Sequence, residues 1–210
     1  MRILIADDHS VVRRGIRQIL ADAFGELVTG EASNAAEALE MIGNQDWDAV
    51  VLDISMPGQS GLEAIKEIRK SRPKLPILVL SIHPEDHFAA RVFKAGASGY
   101  MTKETAPEEL VDAINRVIAG KKYVSVAFAE KLAANLEKGV NDAPPHKRLS
   151  DREYEVLLLI ASGNSLSEIA EQLSLSVKTI STYRSRILEK TDLHSNADLV
   201  RYAIAHGLIE

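Results

Sequence analysis

The chain has 210 residues, 46% of them hydrophobic and 26% charged, with a formal net charge of −5; that length buries a workable core as one large domain or two small ones. It holds no cysteine, which excludes disulfides and thiolate metal sites, and no apolar run approaches the roughly 18–20 residues of a membrane span. The opening Met1-Arg2-Ile3-Leu4-Ile5 runs straight into a strand pattern rather than a leader, so a cytoplasmic address with no membrane contact is expected.

In chain order, residues 2–6 read as a short buried strand with Asp7-Asp8 at its end. Ser10 begins a helix carrying Val12, Ile16, Ile19 and Leu20 at helical spacing. A strand near 27–32 follows, then a helix capped by Ser33 or Asn34, bearing Ala38, Leu39 and Ile42 and closed by Gly43. The third strand is apolar enough to be buried on both faces; it runs out at Asp53, and Met56-Pro57-Gly58 turns the chain away. A helix over 62–71 (Leu62, Ile65, Ile68) leads to a fourth strand, 77–80, ending at Ser81. A helix over 85–95 leads to a fifth, 98–101, followed closely by Lys103. Thr105 and Glu108 form a capping box for a helix carrying Leu110, Ile114, Val117 and Ile118. Five strands alternating with five helices imply a doubly wound parallel α/β sheet.

In such a sheet the C-terminal strand ends share one edge, where ligands sit. Asp7-Asp8, Asp53, Ser81 and Lys103 therefore converge. Crowded carboxylates repel, and Mg²⁺, an oxygen-seeking cation that retains waters and phosphate oxygens, relieves them. A lysine opposite completes a phosphoryl-binding site.

The pattern loosens after Gly120: a helix is expected over 126–138 (Phe128, Leu132, Leu136), closed by Gly139, and Asn141-Asp142-Ala143-Pro144-Pro145 has linker composition. The expected organisation is a domain over 1–122, a helical linker over 123–146 and a second domain over 147–210. That last part is all helix signals. Ser150-x-x-Glu153 and Ser165-x-x-Glu168 are capping boxes, Ser174-Leu175-Ser176 is a tight turn, and Ser176 caps a helix over 177–190; a last helix runs over 196–206 to Gly207. Two helices joined by a three-residue turn fit helix-turn-helix geometry. The segment 147–210 holds 8 basic and 9 acidic residues, yet the helix over 177–190 sets Lys178, Arg184, Arg186 and Lys190 against Glu189 alone. A basic docking face is what duplex DNA requires, whatever the overall charge.

Residues 1 to about 120 resemble the receiver domain of two-component response regulators, in Asp7-Asp8, Asp53 with Met56-Pro57-Gly58, Ser81, and Tyr100 with Lys103. Residues 149–209 resemble the LuxR-type helix-turn-helix, in Leu149-Ser150-x-Arg152-Glu153, Glu168-Ile169-Ala170, Val177-Lys178-Thr179-Ile180 and Gly207-Leu208-Ile209. Together they resemble a NarL/FixJ-like response regulator. The resemblance implies a flavodoxin-like sheet of order 2-1-3-4-5 followed by a small all-α domain. It makes Asp53 the phosphoacceptor and assigns Mg²⁺ to Asp8, Asp53 and the Ser55 carbonyl, with Asp7 holding a metal-bound water. Ser81 would bond the phosphoryl group, Tyr100 would turn inward, and Lys103 would pair with a phosphoryl oxygen. DNA contacts would come from Lys178, Thr179, Ser181, Thr182, Tyr183, Arg184, Ser185, Arg186 and Lys190.

The implied partners are a sensor histidine kinase, duplex DNA and, once phosphorylated, a second copy of the chain. That homodimer would pair through the first and fifth helices, with Leu199, Tyr202 and Ala203 of the last helix pairing the DNA-binding domains. The chain departs from the families at Lys103-Glu104, where many receivers have Lys-Pro, and at Thr191-Asp192-Leu193, where a Leu-Gly-Val-like segment is usual, so a differently shaped turn is expected there. Two rival readings are a regulator acting through DNA or protein partners independently of phosphorylation, and a phosphatase of the haloacid dehalogenase type. The latter resembles Asp-x-Asp, and Ser55 stands where its second acid belongs. No turnover of an outside substrate is expected beyond self-catalysed phosphoryl acceptance and hydrolysis.

Overall fold

Two continuous apolar runs, Ile3–Ile5 and Ala49–Leu52, form the floor on which the first half of the chain is laid. The structure, a computed structural model, describes residues 1–104, 107–130 and 144–209. Strands β1 (Arg2–Ala6), β2 (Val28–Ala32), β3 (Ala49–Leu52), β4 (Ile77–Ser81) and β5 (Gly99–Thr102) form one parallel sheet of order β2-β1-β3-β4-β5. The expected doubly wound order is thus observed. β3 and β4 are buried along their whole length, as strands covered on both faces must be. The register pairs Ala6 with both Ala32 and Leu52, Leu52 with Val79, and Ser81 with Thr102, so the strands end level at their C-terminal edge.

Helices α1 (Ser10–Ala23) and α5 (Pro107–Ile118) pack together on one face, burying Ile16, Leu20, Leu110, Ile114 and Val117 against Ile3, Ile5, Val51 and Leu78. Helices α2 (Ala35–Asn44), α3 (Gly61–Ser71) and α4 (Glu85–Ala95) pack in series on the other. Asn34, not Ser33, caps α2 by accepting from the Glu37 N–H, and the Ser33 N–H and hydroxyl hold the Glu37 carboxylate. Gly43 does not close α2, which runs on to Asn44 and ends at an extended Gln45. Gly61 is required: a Cβ there would lie 2.4 Å from the Ile54 Cα, so only glycine lets α3 start against the loop that follows Asp53. Past α5, Tyr123 pairs in parallel with Gly99, and the Ser125 N–H and hydroxyl both donate to Glu85 at the start of α4. Residues 126–130 are helical. Thr105, residues 131–138 of the expected linker helix, Gly139 and Asn141-Asp142-Ala143 lie outside the described residues.

The chain divides into two units, Met1–Glu137 and Lys138–Glu210. In the second, a 3-10 turn (Pro145–Arg148) precedes α6 (Asp151–Ala161), α7 (Leu166–Gln172), α8 (Val177–Thr191) and α9 (Asn196–Ala205). Both capping boxes form, Ser150 with Glu153 and Ser165 with Glu168, and the Ser176 side chain caps α8 through the Thr179 N–H. Helices α6 and α7 and the 3-10 turn pack on α8, whose Ile180 and Ile187 are buried, and α9 packs on α6. The turn after α8 keeps the left-handed conformation a glycine would supply, with Asp192 at φ 57° and ψ 38°. The expectation of a differently shaped turn does not hold; the aspartate takes the strained conformation itself. The last helix also differs from expectation. Leu199 and Ala203 are fully buried within their own unit, so they pack its core and are not free to pair a second copy, while Tyr202 is half-buried against His146. Among the described residues no helix is long and apolar enough to cross a membrane.

Candidate functional site

At the C-terminal edge of the sheet, β1, β3, β4 and β5 each end at a polar group of one cluster. Asp7 and Asp53 are each only 2% exposed; their backbone N–H groups continue the sheet by donating to Ala32 and Ala6. Asp53 Oδ1 accepts the Ser55 N–H at 2.8 Å and Oδ2 accepts Lys103 Nζ at 2.6 Å. The same ammonium lies 2.7 Å from Asp7 Oδ2. Lys103 is itself fixed by its N–H, which donates to the Ser81 carbonyl at 2.8 Å.

One ammonium thus bridges two buried carboxylates. Burial pushes Asp53 up from its ordinary value, and the Lys103 and Ser55 hydrogen bonds oppose this without cancelling it. Burial alone would lower Lys103, but its bonds to Asp53 and Asp7 prevail and raise it.

Ser81 and Tyr100, the other expected site residues, are tied to one another through His83. Ser81 is buried, and its Oγ accepts the His83 N–H at 3.1 Å. The inward position expected of Tyr100 is already adopted: the ring is fully buried and its hydroxyl donates to the His83 carbonyl at 2.8 Å. The Lys103–Glu104 peptide, like the others described, is trans.

The residues fit a divalent cation. Asp7, Asp8, His9 and Asp53 each offer a ligand atom, all within 4.8 Å of one another. Asp7 Oδ2, Asp8 Oδ1 and Ser55 Oγ are buried without a hydrogen bond; the two carboxylate oxygens have ion-pair contacts only, with Lys103 and His9. Buried oxygens in that condition are what a hard cation satisfies. His9 escapes a reading confined to carboxylates, a hydroxyl and a lysine at strand ends, although its place directly after Asp7-Asp8 was the signal.

On α8 the expected DNA contacts divide in three. Lys178, Ser181, Thr182, Ser185 and Arg186 are exposed, and Ser176, Lys178, Thr179, Thr182, Tyr183 and Arg186 line a groove on the helix surface. Thr179 and Tyr183 are half-buried, and the Thr179 N–H serves the Ser176 cap. Arg184 and Lys190 are engaged within the unit. The Arg184 Nε donates to Asn196 Oδ1 at 2.5 Å, and Lys190 Nζ sits 2.6 and 2.9 Å from the two Glu153 carboxylate oxygens. The hydroxyls are engaged too: Thr182 donates to the Lys178 carbonyl at 3.0 Å and Ser185 to the Ser181 carbonyl at 3.1 Å.

Residues 3–115 match the response regulator receiver domain family and residues 147–203 match the family of bacterial regulatory proteins of the luxR type. Among similar proteins, the response regulator UvrY of Escherichia coli is 40% identical over 208 residues, covering 99% of this chain and 95% of that one. The response regulator GacA of Pseudomonas aeruginosa is 38% identical over 210 residues, covering 100% of this chain and 98% of that one. A structure of RcsB from Salmonella enterica serovar Typhimurium, bound to promoter DNA in the presence of phosphomimetic BeF3-, superposes with a TM-score of 0.66 at 30% identity, covering 96% of this chain and 97% of that one. The two family matches and the relatives together span the chain nearly from end to end, and the chain belongs to the DNA-binding two-component response regulators of the NarL/FixJ type.

Proposed function

We propose that this regulator is a cytoplasmic transcription factor switched by Mg²⁺-dependent phosphorylation of Asp53, with a sensor histidine kinase as donor. The observation that carries this reading is the single Lys103 ammonium bridging buried Asp53 and Asp7 beside carboxylate oxygens without hydrogen bonds. In transfer, an Asp53 oxygen attacks the phosphorus of the donor phosphohistidine and the phosphorus–nitrogen bond breaks, leaving an acyl phosphate. Asp8, Asp53 and the Ser55 carbonyl would hold the cation, with Asp7 on a bound water; when bound it neutralises charge on the phosphoryl oxygens. Lys103 exchanges its carboxylate partner for a phosphoryl oxygen. The Ser81 hydroxyl, which accepts from His83 and retains its own proton, donates to another. Because His83 holds both Ser81 and Tyr100, a shift of Ser81 is felt at the inward tyrosine. No outside substrate is turned over; acceptance and hydrolysis at Asp53 are self-catalysed.

The output is dimerisation on duplex DNA, since one helix-turn-helix reads a half-site and two read an operator. The description of RcsB dimers bound to DNA supports this. Incubation with acetyl phosphate and Mg²⁺ is expected to add one phosphoryl group by intact mass and to strengthen the gel shift of a cognate operator. Asp53→Asn should gain neither, and a chelator should block the wild type. Labelling of Asp53→Asn at an undiminished rate would sink the assignment.

A further inference from the structure

We propose that His9 is an additional ligand at the acid site and gives that site a preference for borderline divalent cations such as Co²⁺ over Mg²⁺; the proposal rests on the reading of this cluster as a cation site. The His9 Nδ1 is 2.8 Å from Asp8 Oδ1 and 3.4 Å from Asp7 Oδ1. It belongs to the set of ligand atoms, with Asp7, Asp8 and Asp53, that all lie within 4.8 Å of one another. Metal–nitrogen and metal–oxygen bonds of about 2.0–2.2 Å place two ligands of one ion roughly 3–4.4 Å apart, so small side-chain rotations bring Asp8, Asp53 and His9 onto a common cation, with Asp7 on its bound water.

The backbone already aims the residue at the site. The His9 N–H donates to Asp7 Oδ1 at 2.8 Å, fixing the imidazole at the mouth of the cluster. The side chain is 66% exposed and caps nothing at the start of α1, so it is free to turn onto an ion and plays no part in the fold's interior. Oxygen ligands alone suit Mg²⁺, which keeps its waters and gains nothing from nitrogen. An imidazole beside carboxylates changes the ranking, because affinity for nitrogen rises along the first-row divalent series from Mn²⁺ to Cu²⁺. Asp8 and Asp53 then set whether a cation binds, and His9 sets which one.

The test is calorimetric titration of the full chain with MgCl₂ and with CoCl₂, together with the visible absorption of bound Co²⁺, which responds to nitrogen ligation. His9→Asn keeps a good helix-capping residue while removing the imidazole. The expected result is that Co²⁺ affinity falls roughly tenfold or more in His9→Asn, with a changed absorption band, while Mg²⁺ affinity stays within about twofold. An unchanged Co²⁺ affinity and spectrum in His9→Asn, with Mg²⁺ still bound and lost in Asp8→Asn, overturns the proposal: His9 is then only an ion pair for Asp8. Co²⁺ binding that is indifferent to Asp8→Asn overturns it as well, and if Mg²⁺ binding is equally indifferent, the reading of the cluster as a cation site falls with it.

Discussion

The acid site and the recognition helix are both polar, yet their groups are held in opposite ways. At the sheet edge, Asp7, Asp53, Ser81 and Tyr100 are almost wholly out of solvent, and their partners are one another, Lys103 and the backbone around them. On α8, Lys178, Thr182, Ser185 and Arg186 lie in solvent, and the hydroxyls turn back to carbonyls of their own helix. A buried network has two well-separated arrangements because a displaced charge there has no water to fall back on. An exposed face has many arrangements of similar energy, which suits adjustment to a base sequence. The first arrangement suits a switch and the second suits adaptation.

That contrast breaks most visibly if Lys103 is removed. Lys103→Met leaves two buried carboxylates facing each other, and the receiver should lose about 3–5 kcal/mol of stability at neutral pH, partly restored by divalent cation. Trp47, the chain's one tryptophan, is buried in the receiver, so its fluorescence during urea unfolding reports that unit alone. A loss under about 1 kcal/mol would mean that the carboxylates are not held charged.

The Glu153–Lys190 link tests the same idea inside the helical unit. Burial pushes Glu153 up, but Lys190 and the Ser150 cap pull it further down, so its folded value lies below the ordinary 4.5. A depressed carboxyl stabilises above its unfolded value and loses that contribution as pH falls through the lowered folded one. Amide protection factors in α8, corrected for the intrinsic exchange rate, should therefore fall on acidification below about pH 4.5. Glu153→Gln should cost about 1–3 kcal/mol at neutral pH and weaken this acid dependence. Equal acid sensitivity in wild type and variant would remove Glu153 from the account.

On the exposed face the expected effects are smaller and separable. Arg186→Ala should weaken binding to every DNA sequence and reduce the slope of affinity against salt by about one unit. Thr182→Ala and Ser185→Ala should leave the salt slope alone and alter which bases are tolerated, by roughly 1–3 kcal/mol at a mismatched pair. Salt titrations and a randomised-site selection distinguish the two behaviours. Arg184→Ala sharpens the comparison further: with its guanidinium on Asn196, it should change the salt slope less than Arg186→Ala does. The smallest effect is at Asp192. Asp192→Gly removes both a side chain from a left-handed residue and a carboxylate from the negative end of α8, and should raise stability by about 0.5–1 kcal/mol. A destabilised Asp192→Gly, by thermal melting, would show that the aspartate makes a compensating contact.

The sheet was legible because β1, β3 and β4 are nearly unbroken apolar runs, and the acids that follow β1 and β3 mark the edge. The capping boxes at Ser150 and Ser165 were equally clear, since a serine and a glutamate three residues apart describe their own hydrogen bonds. Less could be read where sequence shows residue type but not direction. Lys190 counts as a cation on a basic helix, yet it reaches back to Glu153, 37 residues away in sequence. Leu199 and Ala203 form an apolar stripe whether they face their own core or a second copy. Gly43 looks like a stop, and backbone hydrogen bonding carries α2 past it. The pairing of Tyr123 with Gly99 is a single bridge, too short to leave a pattern.

The back-bonded hydroxyls of α8 carry one further consequence. With its proton committed to the Lys178 carbonyl, Thr182 presents only lone pairs and a methyl group outward, and Ser185 only lone pairs. Set against the major groove, an acceptor finds a partner in the amino groups of adenine and cytosine and is refused by the keto oxygens of guanine and thymine. Such a hydroxyl divides the four-letter alphabet in half, yielding one bit where naming a base takes two. An operator read through hydroxyls held in that one arrangement would be written in a coarser alphabet, in which A and C are near-synonyms, with the missing bit supplied by the cations beside them or by the shape of the duplex.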